Sequence, residues 1–394
     1  MIVIVASGGF SGGSVATRAL QEAHILKQEG WDVTLVVPRP AGSDLNAANR
    51  RARFVADTGI SVIEIADWYL SGPFFNVSKD AFFNLRLILI LERIRRRSPV
   101  CLVIVHASPA SYPVAWFCRR HRIPSVFVIH ALIWDRLNAG ANPYGLILTT
   151  AYRHANAFAL RHLDWHLANS THSRALAIEH GARPERVRLV YNCVDERRFR
   201  PAPGVSKAID VLFVGRLSLE KGIDVLAGAI EQLPKKLKVC VVGDGPMSSK
   251  FERRMRTANC NVTFLGWIKN EQLPSVIQSA RLQVVPSLSE PQGLVVAEAM
   301  ACGVPVIGSR AGGIPEMIQD GCNGWLVAAG SSAELAAAIT AALSDPVRLQ
   351  MVGENALKSS ARFTLERLAA EVLGAYRSIL ETPGASFAPG SKVA

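Results

Sequence analysis

The 394-residue sequence has no apolar run long enough to cross a membrane. Its mean hydropathy is positive (+0.20), but no uncharged stretch reaches the roughly 18 residues that a spanning helix needs, and the densest segment, Leu85–Leu91, already contains Arg86. A secretory leader is also missing, because Met1 runs directly into Ile2–Val5 without a basic segment or a small-residue cleavage site. These absences predict a cytoplasmic protein.

Cysteine is scarce and scattered. The seven cysteines are odd in number, and they form no C-x-x-C pair and no Cys/His cluster with the spacing of a zinc site. We therefore expect reduced thiols and no bound metal. Hydrophobic residues, by contrast, make up 49% of the chain, which excludes a disordered protein, and the length matches two ordinary domains.

Acidic residues are clearly outnumbered by basic residues in the first half of the chain. Residues 1–200 hold 25 Lys and Arg against 15 Asp and Glu, whereas residues 201–394 hold 19 against 17. Most of the net charge of +12 therefore lies in the first half. This asymmetry predicts an anionic partner for that half: nucleic acid, an acidic membrane surface or a phosphorylated substrate.

Short apolar runs alternate with helix-like segments along most of the chain. Continuous rather than alternating hydrophobicity is typical of parallel strands that are covered on both faces. The pattern therefore predicts an α/β protein with two doubly wound, Rossmann-like domains facing each other across a cleft. The predicted strands are 1–6, 33–37, 62–65, 101–105, 126–129 and 165–168 in the first half, and 210–214, 239–242, 262–265, 283–285, 304–307 and 324–327 in the second.

Proline and glycine between the two arrays mark a linker. We place an N-terminal domain at 1–195, the linker at 196–208 and a C-terminal domain at 209–362. An amphipathic helix at 363–380 and a flexible tail at 381–394 complete the predicted organisation.

The N-terminal strand ends in a glycine-rich turn that includes Gly12 and Gly13. Glycines let the backbone approach a phosphate, and the following helix offers free N–H groups at its positive end. The dinucleotide-binding fingerprint G-x-G-x-x-G is absent, however, and Pro38-Arg39 rather than an acidic residue closes the second strand. A nicotinamide-binding domain is therefore disfavoured.

Two carboxylates stand close together near the end of the second array. Glu290 and Glu298 are eight residues apart, and Pro291 and Gly293 between them argue against one helix through both. We expect the helix to begin near Gly293–Leu294, with Glu290 in the loop and Glu298 on the second turn. Such a pair at a helix N-terminus suits sugar hydroxyls beside a diphosphate. The alternative is that one Glu complements the helix dipole and the other is a solvated surface residue.

Two cations, Arg216 and Lys221, follow the first strand of the second array at the mouth of a helix. Arg as a bidentate fork and Lys as a point charge can neutralise a pyrophosphate. Further along, Gly243 stands in a strand-to-turn element, and Trp267 and Ile268 are candidates to flank a base.

Taken in order, these segments resemble the family 4 retaining glycosyltransferases of the GT-B fold, and the resemblance spans nearly the whole chain. Each segment alone is a weak signal, whereas all of them in this order and spacing are a strong one. The ordered series is Gly12-Gly13, His130 closing a strand, Asn192–Asp195, Gly215-Arg216 with Lys221-Gly222, Gly243–Pro246, Glu290 with Glu298, and Gly312–Glu316.

The resemblance implies that the C-terminal domain binds a nucleotide-sugar donor, UDP- or GDP-linked, and that the N-terminal domain binds a glycan or lipid-linked acceptor. Arg216 and Lys221 would hold the diphosphate. Glu298 would bind the ribose, Glu290 the hydroxyls of the transferred sugar, and His130 would lie beside that sugar and the acceptor. Glu290, His130, Arg216 and Lys221 are thus the candidate catalytic residues. The further donor-binding residues implied are Gly12, Gly13, Gly243, Trp267, Ile268, Gly293, Leu294 and Val295.

The same resemblance implies transfer with retention of anomeric configuration and no divalent metal or other cofactor. His106, at a neighbouring strand end, and Asp135 are further candidates whose participation stays open. The family often has Phe at the position of Gln292, which leaves the identity of the donor open.

We expect a role in bacterial cell-surface polysaccharide, lipopolysaccharide or glycolipid assembly. One alternative is a GT-B UDP-sugar 2-epimerase, against which the Glu290/Glu298 pair with Arg216 and Lys221 argues. The other is a basic nucleic-acid-binding regulator, but neither an aromatic platform interleaved with Arg nor a helix-turn-helix is evident, so we expect no nucleic-acid partner.

The segment Ala81–Arg97 combines apolar residues with five arginines, of which Arg86, Arg93 and Arg97 recur on one helical face. One interpretation is a domain helix with a solvated basic side. The other is peripheral attachment to the anionic inner face of the cell membrane, where each Arg contributes about 1 kcal/mol.

Overall fold

The computed structural model describes residues 1–6, 10, 14–39, 45–65, 75–106, 108–132, 143–258 and 260–382. Two parallel β-sheets and the helices that cover them account for most of these residues. This confirms the predicted α/β architecture of two Rossmann-like units. Gly12, Gly13, Asp135 and residues 383–394 of the predicted tail lie outside the described residues.

The first sheet is parallel throughout and has the strand order β3-β2-β1-β4-β5-β6-β7. Two of its adjacent inner strands, Ile2–Val5 and Leu102–Val105, consist entirely of buried Val, Ile and Leu, as strands covered on both faces require. The strands are β1 Ile2–Val5, β2 Val33–Pro38, β3 Ser61–Ile65, β4 Leu102–Val105, β5 Ser125–Ile129, β6 Trp165–Ala168 and β7 Val187–Leu189. The helices are α1 Ser14–Gln28, α2 Leu45–Thr58, α3 Phe75–Arg97, α4 Ser111–His121, α5 Pro143–His162 and α6 Thr171–Glu179.

The second sheet is also parallel and has the strand order β10-β9-β8-β11-β12-β13. The strand order reverses between the neighbouring strands β8 and β11, so the chain segments that follow these two strands run in opposite directions. This divergence opens a crevice at the carboxyl ends of the two strands. The strands are β8 Ile209–Val214, β9 Val239–Val242, β10 Val262–Gly266, β11 Ala280–Val285, β12 Val306–Ser309 and β13 Trp325–Val327. The helices are α7 Ile223–Gln232, α8 Ser248–Thr257, α9 Leu273–Gln278, α10 Leu294–Ala301, α11 Ile314–Met317, α12 Ser332–Ser344 and α13 Pro346–Ser360.

The last helix, α14 (Leu365–Glu381), belongs to the second half of the sequence but packs on the first sheet. The hydroxyl of Thr364 caps its N-terminus by accepting a hydrogen bond from the backbone N–H of Arg367 at 3.3 Å. Its apolar side, including Val372 and Tyr376, joins the core formed by β1 and α1. Nowhere in the described ranges is a helix both long and apolar enough to span a bilayer.

Candidate active site

The crevice of the second sheet brings two charged side chains from distant segments together. Lys221 ends a short 3₁₀ turn that leads into α7, and its Nζ lies 2.5 Å from Oε2 of Glu290, which follows β11. Glu290 is 8% exposed and also accepts a hydrogen bond from Ser287 Oγ at 3.3 Å, whereas Arg216 is exposed. The roles predicted for Lys221 at the diphosphate and for Glu290 at the sugar stay predictions, and the ion pair adds that neither charge changes without affecting the other.

Two glycines allow the loops of this pair to pack backbone against backbone. Gly222 has φ +70°, and a Cβ there would lie 1.9 Å from the carbonyl oxygen of Pro286. Gly312 has φ +54°, and its Cβ would lie 1.9 Å from the carbonyl oxygen of Glu290. Only glycine fits either position, so the loops that carry Lys221 and Glu290 are fixed by these close approaches.

Helix α10 begins next to Glu290, as the sequence predicts. Gly293 occupies the N-cap with φ +98°, which leaves the N–H groups of Leu294 and Val295 in the first turn. Glu298 follows on the second turn. Burial raises the pKa of Glu298 to about 8, and the positive charge of Arg198 only partly opposes this effect. At neutral pH its carboxyl group is therefore protonated and can donate as well as accept a hydrogen bond.

The neighbouring strand ends hold the residues predicted to flank a base. Gly243 has φ +124°, and a Cβ there would lie 1.9 Å from the carbonyl oxygen of Gly215, so the β8 and β9 ends are in direct backbone contact. Trp267 is 74% exposed, and Ile268 is half-buried against the core. A broad exposed indole at the edge of the crevice leaves room for a planar ligand.

In the first domain, His130 follows β5 and contacts His106, which follows β4. His130 Nε2 and His106 Nδ1 are 3.0 Å apart, and the other ring nitrogen of His106 lies 3.2 Å from Oε2 of the fully buried Glu22. Burial, together with the charges of His106 and Arg18, holds the pKa of His130 well below its usual range. The structure thus brings together both predicted histidines and adds a carboxylate.

Polar contacts join the two halves of the chain beside Glu290. The side-chain amide of Gln292 accepts from the backbone N–H of Asn192 at 2.9 Å and donates to the Asn192 carbonyl at 3.0 Å. Glu316 accepts from the backbone N–H groups of Thr171 and His172 at the start of α6, at 2.8 and 3.0 Å. Gln292 is buried, and its side chain joins the loop after β11 to the segment after β7.

Comparison with known proteins identifies the family. The sequence profile of Glycosyl transferases group 1 matches residues 195–359, and that of a Glycosyl transferase 4-like domain matches residues 13–193. A D-inositol 3-phosphate glycosyltransferase of Nocardia farcinica (strain IFM 10152) is 30% identical over 399 residues, which cover 93% of this chain and 85% of the relative. The chain belongs to the group 1 glycosyltransferases.

Two further similarities agree with this assignment. D-inositol 3-phosphate glycosyltransferase 2 of Catenulispora acidiphila is 36% identical over 227 residues, which span 51% of this glycosyltransferase and 53% of the relative. The crystal structure of Anabaena HepE in complex with UDP-glucose superposes with a TM-score of 0.76 and 22% identity, covering 96% of this chain and 99% of that one. At this identity the structural match establishes the GT-B fold.

The residues that surround His106 have no local signal in the sequence. Glu22 lies in the middle of α1, and Tyr376 of α14 donates a hydrogen bond to it across 354 residues. Arg18 contacts Glu22 at 3.4 Å and also donates to the side-chain oxygen of Asn192 at 3.2 Å. The one available hint is that charged residues recur within an otherwise apolar helix face, which indicates a buried ion pair.

Proposed function

We propose that this glycosyltransferase moves a sugar from a UDP-linked donor to an acceptor hydroxyl with retention of anomeric configuration. The observation that carries the proposal is the Lys221–Glu290 pair beside the N-terminus of α10, at the crevice between β8 and β11. A cation, a carboxylate and free helix N–H groups are the groups that a nucleoside diphosphate sugar needs. The solved neighbour with UDP-glucose bound favours uridine over guanosine.

The diphosphate is bound at the cationic side of the crevice. Arg216 and Lys221 neutralise it, and the N–H groups of Leu294 and Val295 donate to its oxygens. The protonated carboxyl group of Glu298 meets the ribose hydroxyls. Gly243, Trp267 and Ile268 flank the base, and the family resemblance assigns Gly12 and Gly13, which lie outside the described residues, to the diphosphate.

Glu290 orients the hydroxyls of the transferred sugar, and His130 faces the same sugar from the first domain. The bond between the anomeric carbon and the diphosphate oxygen breaks while the acceptor oxygen bonds to that carbon. The proton of the acceptor hydroxyl passes to the leaving phosphate oxygen. Arg216, Lys221 and the α10 N-terminus stabilise the charge that develops there, which is the main source of rate enhancement.

These cations supply the positive charge that a divalent metal provides in other transferases, and we propose that neither a metal nor another cofactor is required. Chelation with EDTA should therefore leave turnover unchanged. A loss of activity that Mg²⁺ or Mn²⁺ restores would contradict the proposal.

The donor is tested by screening UDP- and GDP-sugars for a rise in melting temperature, because a ligand at about 100 times its Kd stabilises the native state by about 2.7 kcal/mol. The best donor is then incubated with an acceptor panel that includes D-inositol 3-phosphate, the substrate named for the relatives, and lipid-linked glycans. The anomeric coupling constant in the product's proton spectrum should report the donor's configuration. An inverted product, or stabilisation by GDP-sugars alone, would overturn the proposal.

We further propose that the first domain attaches to an anionic membrane surface, which would bring the enzyme to a glycolipid acceptor in cell-surface polysaccharide or lipopolysaccharide assembly. Helix α3 buries Leu87 and Leu91 against the sheet and leaves Leu85 and Leu89 62% and 66% exposed. The predicted basic face changes in two respects, since Arg86 has a partner within the protein and Arg95 forms an ion pair with Glu92 at 3.4 Å. Arg93, Arg96 and Arg97 are exposed and form no ion pair with any residue that the structure describes.

Helix α4 adds aromatic side chains to this surface. It packs on the same face of the sheet as α3, so the outward sides of both helices lie on one side of the domain. Trp116 is 49% exposed, with the guanidinium of Arg120 5.8 Å from its ring centroid, and Tyr112 is 40% exposed. Exposed Trp and Tyr with adjacent arginines are typical of a membrane–water interface.

Cosedimentation with vesicles tests this attachment. The wild type should bind phosphatidylglycerol-rich vesicles at low salt and be released by raised salt. Replacing Arg93, Arg96 and Arg97 with Ser should abolish binding and leave UDP affinity unchanged.

The matched control replaces three exposed basic residues of the second domain, Lys236, Lys238 and Arg253, with Ser. It carries the same change in net charge and should still bind vesicles. Equal losses in both triple variants would mean that only net charge matters. Wild-type protein that ignores anionic vesicles at low salt would make a soluble acceptor the better proposal.

A further inference from the structure

The first turn of helix α6 is capped from both domains. Within the first domain, the hydroxyl of Ser170 accepts a hydrogen bond from the backbone N–H of Ser173 at 2.9 Å. The N–H groups of Thr171 and His172 lie in the turn whose donors a helix does not satisfy by itself, and they donate to Oε2 and Oε1 of Glu316 at 2.8 and 3.0 Å. Glu316 belongs to α11 of the second domain, so its carboxylate completes the cap across the domain boundary.

A tyrosine adds a third hydrogen bond to the same carboxylate. The hydroxyl of Tyr191, in the segment between β7 and β8, lies 2.9 Å from Oε2 of Glu316. Burial and the neighbouring Glu316 raise the pKa of Tyr191 to about 12, so its hydroxyl keeps its proton and remains a hydrogen-bond donor near neutral pH. Three donors on one carboxylate, together with the positive end of α6, make this a strong contact between the domains.

The segment that carries Glu316 also holds the loop of Glu290. Gly313 donates its backbone N–H to the carbonyl of Glu290 at 2.9 Å, and a Cβ on Gly313 would lie 2.7 Å from the carbonyl oxygen of Pro291. Helix α11 begins at the next residue, Ile314. A displacement of Glu316 from α6 is therefore passed to the Glu290 loop through one short, tightly packed turn.

The position of this loop relative to the first domain matters for the reaction. The described side chains assigned to the nucleotide sugar, such as Lys221 and Glu290, belong mainly to the second domain, whereas the acceptor is assigned to the first. A misplacement of about 1 Å between two reacting groups can lower a rate about 100-fold without a comparable change in affinity. A contact that joins the Glu290 loop to the first domain therefore controls how well the two substrates are aligned.

We propose that Glu316 is a positioning residue: by completing the cap of α6, it fixes the Glu290 loop against the first domain in the orientation in which the sugar is transferred. The proposal rests on the proposed function, which supplies the two substrates that must be aligned. Because the carboxylate of Glu316 is held by groups of the first domain, it acts through the loop and not on a substrate. Its loss should lower turnover and leave UDP affinity unchanged.

The contact itself is measured on the free enzyme by hydrogen–deuterium exchange. In Glu316→Ala, the N–H groups of Thr171 and His172 lose their charged acceptor and should exchange about 10- to 100-fold faster, although the substitution lies in the other domain. A substitution with an effect confined to the fold of the second domain does not change exchange at the start of α6. Unaltered exchange of these two N–H groups would overturn the proposal.

Kinetics and calorimetry separate alignment from binding. We expect Glu316→Ala to lower kcat about 10- to 100-fold, with the Kd of UDP within about twofold of the wild type. Tyr191→Phe removes only the third hydrogen bond and should lower kcat less than about fivefold. Wild-type kcat in a folded Glu316→Ala, or a loss of UDP affinity as large as the loss of kcat, would overturn the proposal.

A variant of the first domain tests the same contact from the other side. Thr171→Pro removes one N–H that Glu316 accepts from, and proline is tolerated at the first position of a helix after an extended residue, as Ser170 is (φ −160°, ψ 161°). It should lower kcat at least about threefold, and adding it to Glu316→Ala should lower kcat no further than about twofold. Since Thr171→Pro leaves α11 unaltered, it decides the point even where Glu316→Ala is unstable. Losses that multiply in the double variant would overturn the proposal.

Glu334→Ala is the matched control. The carboxylate of Glu334, on α12, accepts a hydrogen bond from the backbone N–H of Ala328 at 2.8 Å, and both residues lie within the second domain. Its loss should lower the melting temperature without changing kcat or exchange at the start of α6, and effects equal to those of Glu316→Ala would overturn the proposal. If no donor supports transfer, the proposed function fails, while exchange on the free enzyme still decides whether Glu316 caps α6.

Discussion

Replacing Lys221 should affect nucleotide binding more than the loss of one cation explains. The side chains of Lys221 and Glu290 are 27% and 10% exposed, so the ion pair is largely withdrawn from water. In Lys221→Ala the diphosphate loses a charge-assisted hydrogen bond, worth about 1.5–3 kcal/mol. It also meets a Glu290 carboxylate that nothing neutralises.

The size of the second effect follows from Coulomb's law. Two unit charges about 6 Å apart at an effective dielectric of about 20 repel by roughly 3 kcal/mol, and solvent access reduces this value. We therefore expect Lys221→Ala to weaken UDP binding by about 2–4 kcal/mol, roughly 30- to 1,000-fold in Kd. Glu290→Gln alone should leave UDP affinity unchanged or improve it up to about tenfold, because Lys221 is released to the diphosphate.

The decisive variant is the double one. In Lys221→Ala/Glu290→Gln the unneutralised carboxylate is gone, so about 1–2 kcal/mol of the lost affinity should return. Isothermal titration calorimetry with UDP on the four proteins measures this coupling. Lys250→Ala, which breaks an exposed pair with Asp224 (3.3 Å) in the same domain, is the matched control and should bind UDP as the wild type does. The reasoning is refuted if the binding free-energy changes of the two single variants add up to that of the double variant within about 0.5 kcal/mol.

Two further predictions concern the helix α10 and the loop at Gly312. Because the pKa of Glu298 is about 8 when folded and near 4.5 when unfolded, the unfolded state loses its proton first as pH rises. The free energy of unfolding of the wild type should therefore fall between pH 5 and 8 relative to that of Glu298→Gln, by at most about 1.4 kcal/mol for each unit of pKa difference. Melting temperatures of the two proteins that change in parallel between these pH values would contradict the prediction. Gly312→Ala should displace the Glu290 backbone and lower both the melting temperature and kcat. Gly374→Ala, in open space on α14, should instead stabilise the folded protein by about 0.5–1 kcal/mol. Similar melting temperatures for the two variants would contradict the packing argument.

The parts of the fold that the sequence predicts are those encoded by local chemistry. Short, mostly apolar runs mark strands such as Trp165–Ala168 and Val239–Val242 with the bounds that the structure has. Pro291 and Gly293 separate the loop of Glu290 from the helix of Glu298, because neither residue fits a continuing helix there. Local rules of this kind need no knowledge of distant segments.

What the sequence does not predict depends on contacts between distant segments. Two partners of Glu22, Tyr376 and His106, come from α14 and from the end of β4, and their spacing along the chain carries no periodic signal. The Lys221–Glu290 contact likewise joins residues 69 apart in sequence. For the same reason the sequence does not show that Leu85 and Leu89 face outward, since a helical pattern does not say which apolar side meets the sheet.

The central claim is that Glu290 orients the sugar of a UDP-linked donor at the crevice between β8 and β11. It is tested most directly by measuring turnover of the wild type and of Glu290→Gln with the best donor and acceptor from the screen, both proteins having equal melting temperatures. Loss of this contact should lower kcat by about 10²–10³, with UDP affinity undiminished. Near wild-type turnover in Glu290→Gln would contradict the account.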